Sequence, residues 1–173
     1  MPSGLIIIAD TSVLINFLRI DRMDLIGAHS SEFLATEHVG AEISDSYADQ
    51  QTRYRAALDA GFVIEERVDN PAEIELFLKL RRQPRLGTGE CSAISVAINR
   101  DHALAMDDNR AINHALQEAG LARRHLRIIR TQDILADLAR AGVLSIKAAD
   151  AILAEWAANH RFRTKISSIG EIL

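Results

Sequence analysis

Leu5-Ile6-Ile7-Ile8-Ala9 runs five apolar residues without polar alternation, which describes a strand covered on both faces. Asp10-Thr11-Ser12 follows at once, a strand end that doubles as a helix start, and Val13 to Leu18 continues as a helix. A strand buried on both sides and feeding directly into a helix belongs to a parallel sheet. Parallel strands need a crossover, and the crossover helices are what cover the two faces.

The rest of the chain repeats that unit. Val39 and Ile43 stand four apart in a second helical stretch that can run on to Ala60, where Gly61 stops it. Phe62-Val63-Ile64 is a second strand candidate. Pro71 opens a helix with Ile74, Phe77 and Leu78 on one face. Pro84 to Gly87 reads as a loop. Thr88 caps a helix that starts near Gly89-Glu90 and buries Ile94, Ala97 and Ile98. Ala103 to Met106 is a short strand closed by Asp107-Asp108, and a helix from about Arg110 to Ala119 ends at Gly120. Leu126 to Ile129 is the next strand. Helices over roughly Thr131 to Ala141 and Ser145 to His160 finish the chain. The predicted architecture is α/β, a doubly wound parallel sheet flanked by helices. The 173 residues fit one domain, 1–173, with 161–173 as a loose or docking tail.

Composition sets limits. A single cysteine, Cys91, allows no intrachain disulfide and fits a reducing compartment. The longest apolar run is far too short for a membrane span, and no basic start leads into a long apolar signal segment. The expectation is a cytoplasmic protein without a membrane partner. Net charge is −4, which alone does not suggest a nucleic-acid binder. Arginine, however, far outnumbers lysine and clusters at Arg81, Arg82 and Arg85, at Arg123, Arg124, Arg127 and Arg130, and at Arg161 and Arg163. Arginine's planar fork suits phosphate, although any one cluster also reads as solvated helix ends.

The acids fall where chemistry would need them. Asp10 ends the first strand, Asp107 and Asp108 end the Ala103–Met106 strand, Glu90 sits in a first helical turn, and Glu42 lies one turn into the helix near Val39. In an open parallel sheet, ligands bind beyond the carboxyl ends of the strands at the switch in strand order. Carboxylates gathered there raise one another's pKa, and a hard divalent cation removes the conflict. Oxygen-only ligands point to Mg²⁺ or Mn²⁺ rather than zinc, and that pairing suits phosphodiester hydrolysis. Taken singly, Asp10 could be a helix cap, Glu90 a dipole partner, Glu42 a solvated residue and Asp107-Asp108-Asn109 a capping turn.

The set resembles the PIN-domain family. Ile8-Ala9-Asp10-Thr11-Ser12-Val13-Leu14-Ile15-Asn16 is similar to its opening, Val39-Gly40-Ala41-Glu42-Ile43 to its Val-x-x-Glu segment, and Leu104-Ala105-Met106-Asp107-Asp108-Asn109-Arg110 to the strand that delivers its last acid. Leu86-Gly87-Thr88-Gly89-Glu90-Cys91-Ser92-Ala93-Ile94 resembles the Gly-Glu-x-x-Ala-Ile segment of one branch, with Glu where many VapC-type toxins have Asp. The resemblance runs from about Leu5 to Ala141. It implies a Mg²⁺- or Mn²⁺-dependent endoribonuclease, frequent homodimerisation and often a small antitoxin encoded alongside, hence the toxin of a toxin–antitoxin pair. Carried over, Asp10 is the first metal ligand, Glu42 a ligand directly or through water, Glu90 a ligand or the residue that positions attacking water, and Asp108 the fourth acid. Met106 stands where the family often has Thr. Whether Asp107 or Asp108 points inward stays open, with Asp108 favoured. Thr11, Ser12 and Asn16 are candidates to orient Asp10 or contact phosphate.

Other readings fare less well. A phospho-acceptor receiver wants an acidic pair after the first strand and a late Lys, whereas the late strand here reads Leu126-Arg127-Ile128-Ile129-Arg130-Thr131. A dehalogenase-like phosphatase wants Asp-x-Asp, and Ser12 occupies the third place. No Gly-rich phosphate loop is present. Cys91 reads as a small buried residue, and His38 with Glu42 lacks a second His motif for zinc. The alternative that remains is a catalytically inactive PIN-fold module that binds RNA or protein.

Overall fold

The computed structural model describes residues 4–173. Five strands form one parallel sheet: β1 (Ile6–Ala9), β2 (Glu32–Thr36), β3 (Ile64–Glu66), β4 (Ala103–Ala105) and β5 (Ile128–Ile129), in the order β3-β2-β1-β4-β5. The nine helices of the described residues are α1 (Thr11–Arg19), α2 (Met23–Ala28), α3 (Glu37–Ser46), α4 (Ala48–Asp59), α5 (Pro71–Leu80), α6 (Thr88–Asn99), α7 (Asn109–Leu121), α8 (Thr131–Arg140) and α9 (Ile146–Asn159), and a 3-10 turn (Ile169–Ile172) closes the chain.

Alternation along each strand sorts side chains into two cores. Ile7, Ala9, Phe33, Ala35, Ala103, Ala105 and Ile129 face α1–α4, α8 and α9. Ile8, Leu34 and Leu104 face α6 and α7, with Leu80 of α5 behind them. Both faces are covered, which is why β1 and β4 need no polar positions. The chain is doubly wound, as its pattern of elements predicts.

Several boundaries differ from expectation. β2 and α2 escape the pattern because Phe33-Leu34-Ala35 follows a polar stretch and α2 has only six residues. The helix from Val39 breaks at Tyr47, whose φ of −132° and ψ of 56° are not helical, so α3 and α4 are separate. β3 lies two residues later than Phe62-Val63-Ile64, and β5 retains only Ile128 and Ile129 of its predicted span. On α5, Ile74 and Leu78 are exposed, Phe77 is half-buried, and the buried residues are Glu73 and Leu80. Arg100 at the end of α6 reverses the expected face. It grips Glu73 at 2.6 Å and also reaches Glu66 and the Arg67 carbonyl.

The last residues return to the body. The Phe162 ring lies 5.3 Å from that of Trp156, and Ile169 is fully buried. Asp150 accepts from Ser168 Oγ at 2.8 Å and from the Ile169 N–H at 2.7 Å. Among the described residues no helix is long and apolar enough to cross a membrane.

Candidate active site

Strand order changes direction between β1 and β4, so the connections leaving their carboxyl ends diverge and open a crevice. Ala9 pairs with Ala105, and the Asp10 N–H donates to the Ala105 carbonyl at 2.9 Å. Asp10 therefore leaves the sheet beside Met106, with Asp107 and Asp108 one and two residues further out. Met106 itself is buried in the second core.

Asp10 occupies the N-cap position of α1 but does not cap with its side chain. Its Oδ2 accepts from Ser12 Oγ at 2.8 Å. Its Oδ1 is buried and has no hydrogen-bond partner. Desolvation pushes this carboxyl up to about 7, and the charges of Glu90 and Glu42 add to the effect against the lowering bonds from Ser12 and the Thr11 backbone.

Glu42 and Glu90 are set around the start of α6. Glu42 Oε1 accepts from the Gly89 N–H at 2.7 Å, and its Oε2 accepts from Thr11 Oγ1 at 2.7 Å. Glu90 reaches back to the Gly87 N–H at 2.9 Å. Gly89 must lack a side chain, because a Cβ there would lie 2.6 Å from Glu42 Oε2 and 2.9 Å from Thr11 Oγ1. Ser92 Oγ, which donates to the Gly89 carbonyl, sits 2.6 Å from Thr36 Oγ1, and Thr36 in turn accepts from the Val39 N–H to cap α3. The helix carrying Glu42 is thereby pinned to the helix carrying Glu90. Burial raises the Glu90 carboxyl, and the charges of Asp108 and Glu42 raise it further.

The two adjacent aspartates face different neighbours. Asp108 caps α7, accepting from the Ala111 N–H at 2.8 Å, and its charge acts on Glu90. Asp107 turns toward α8 and accepts from Thr131 N–H at 2.9 Å and Thr131 Oγ1 at 2.6 Å. Burial raises Asp107 too, against these bonds. Thr131 Oγ1 also accepts from Asn16 Nδ2 at 3.1 Å. Of the three helper residues, Ser12 holds Asp10, Thr11 holds Glu42, and Asn16 reaches Asp107 through Thr131. Asp10, Glu42, Glu90 and Asp108 are thus one electrostatically coupled group, and Asp107 stands beside it in a network of its own. Sequence reasoning missed Thr131, Thr36, Ser92 and Gly89. Thr131 carried a signal, since it follows a strand end as Thr11 follows Asp10.

The arginine clusters divide. Arg124 bonds the Ile98 and Asn99 carbonyls at the far end of α6, and Arg123 and Arg127 also lie at that end, away from the acids. Arg130 sits at the acids: its Nη1 donates to the Asp107 carbonyl at 2.9 Å and its Nη2 to Asn109 Oδ1 at 2.7 Å. Arg163 and Lys165 join it in walling a cavity of about 620 Å³ that opens beside Asp107 and Asp108.

The donor set is one a hard divalent cation accepts: all oxygen, mutually repelling, with an unpartnered buried oxygen on Asp10. Among the described residues no three such groups stand as a ready cage, and Glu42, Glu90 and Asp108 each accept from a backbone N–H. Glu90 and Asp108 each keep a second carboxylate oxygen that these amides do not bond.

A family model described as PIN domain matches residues 6–173. The chain belongs to the PIN-domain family, whose members are generally nucleases that use divalent metal ions. Among solved structures it is similar to a PilT N-terminus domain protein from the hyperthermophilic archaeon Sulfolobus solfataricus P2. The match has 22% identity and a TM-score of 0.51, and covers 76% of this chain and 92% of that one, a likeness of fold. No curated protein matches the chain.

Proposed function

We propose that this chain is a metal-dependent endoribonuclease that hydrolyses RNA phosphodiester bonds at the β1/β4 crevice. The observation that carries the reading is the buried, unpartnered oxygen of Asp10 beside Glu42, Glu90 and Asp108. Asp10, Glu90 and Asp108 would hold Mg²⁺ or Mn²⁺, with Glu42 as a further ligand, and the cation when bound supplies Lewis acidity to a phosphodiester. The chain's own groups do the rest. Ser12 fixes the rotamer of Asp10. Glu90, held at the crevice by the Gly87 N–H, would position the attacking water. Arg130 clamps the Asp107–Asn109 turn and offers positive charge at the crevice edge. A recessed site favours single-stranded or looped RNA, whose backbone can bend into it.

The resemblance of the whole motif set, from about Leu5 to Ala141, supports a narrower role. In that role the chain is the toxin of a toxin–antitoxin pair, a homodimer held in check by a small antitoxin in the cytoplasm.

The test is incubation of purified, partner-free protein with a mixed RNA pool in Mg²⁺ or Mn²⁺. Cleavage should appear with metal and vanish in EDTA. No cleavage by a folded protein over a range of RNAs would replace this reading with a PIN-fold module that binds without cutting.

A further inference from the structure

Three cavities meet at Asp107 and Asp108. The one of about 620 Å³ shares Asp107, Phe162 and Arg163 with a smaller one of about 220 Å³, which reaches Ser12 and Arg161. On the other side it shares Asp108 and Asn109 with one of about 660 Å³ that extends along α7 to His114. Through these shared walls the three make a track along Asp107 and Asp108, at the outer edge of the acid group.

One wall of that track is the segment 161–166. Its side chains alternate: Phe162, Thr164 and Ile166 are turned inward, while Arg161, Arg163 and Lys165 are exposed. The inward set holds the segment down. Phe162 packs on Trp156, Thr164 Oγ1 donates to Gln132 Oε1, and Ile166 packs on the core. Among the described residues none of the three exposed cations makes an ion pair. The neighbouring Asp107 and Asp108 carboxylates are bonded instead by Thr131 and by the Ala111 N–H.

We infer that Arg161, Arg163 and Lys165 form a phosphate-binding wall that lays single-stranded RNA along this track. The inference rests on the nuclease reading of the same site and names the residues that grip its substrate. Carboxylates repel a polyanion, and a row of unpaired cations on the cavity walls that Asp107 and Asp108 also line supplies the attraction. The inward anchors pre-order the backbone of the row, so the ordering left to binding is that of the cation side chains.

The experiment measures fluorescence anisotropy of a labelled, unstructured single-stranded RNA against full-length Asp10→Asn protein, which binds without cutting. It compares this with the same protein carrying Arg163→Ala and Lys165→Ala, or Arg123→Ala and Arg127→Ala at the far end of the sheet. All four side chains are exposed, so the folds should be kept, and circular dichroism checks that. The wall pair should weaken binding at least tenfold and flatten the log–log salt dependence by roughly 1.4, two phosphate contacts' worth for a single strand. The far-end pair should change affinity less than twofold. Equal losses from both pairs, no loss from either, or no RNA binding by the parent would overturn the wall. Loss confined to the wall pair, in a protein whose wild type cuts no RNA with metal, would retain the wall and reject the hydrolysis.

Discussion

Asp10→Asn should make the metal-free protein more stable at pH 8 and leave it nearly unchanged at pH 4. The carboxyl keeps its proton up to about pH 7 in the folded chain but loses it near 3.9 when unfolded. Between those values the folded state binds more protons than the unfolded one, so stability falls as pH rises and the full penalty is present above 7. Removing the charge removes the penalty, while the amide oxygen can still accept from Ser12. The gain should be on the order of 2 kcal/mol or more, a rise of roughly 4–8 °C in thermal midpoint for a chain this size. Millimolar Mg²⁺ or Mn²⁺ should raise the midpoint of the wild type more than that of the variant, which lacks one of the ligands and binds the cation more weakly. Thermal melts across pH with and without metal check all of this. A variant less stable than wild type at pH 8 would mean that the Asp10 charge is already compensated within the protein.

Trp156→Ala should cost about 3–5 kcal/mol, the range for deleting a large buried aromatic. The side chain is fully buried, edge-on to Phe17 with centroids 5.1 Å apart, and its Nε1 donates to the Asn16 carbonyl at 2.7 Å. Truncation leaves a cavity and an unmet carbonyl at once. That is a large fraction of the roughly 5–15 kcal/mol by which domains are stable, and urea melts would show it. Trp156→Phe keeps most of the packing and loses the hydrogen bond, so it should cost about 1–2 kcal/mol. The site should feel the larger change. Asn16 leads through Thr131 to Asp107, and Phe162, which anchors the basic segment, leans on the same indole. A cost below about 1 kcal/mol for the alanine variant would contradict the packing and hydrogen bonding described for Trp156.

The sequence was most legible where one residue answered to one constraint. Leu5–Ala9 had to be a doubly covered strand, and Asp10 had to sit at its end. The acids could be assembled because each closed a strand or opened a helix, positions that a doubly wound sheet brings to one edge. What stayed hidden depended on partners distant in the chain. Glu73 looks like a solvated helix residue until Arg100 arrives from 27 positions away. Asp107 and Asp108 are chemically identical neighbours, and only Thr131 on one side and Ala111 on the other separate them. The outward period of two at Arg161, Arg163 and Lys165 was present in the sequence, but its meaning required Phe162 to find Trp156.

The most direct measurement is a calorimetric titration of Mn²⁺ into metal-free wild type, Asp10→Asn, Glu90→Gln, Asp108→Asn and Asp107→Asn. Mn²⁺ should bind the wild type, and the affinity should fall at least tenfold with the first three changes and far less with Asp107→Asn, whose carboxylate is occupied by Thr131. Equal Mn²⁺ affinity in wild type and Asp10→Asn would contradict the metal site.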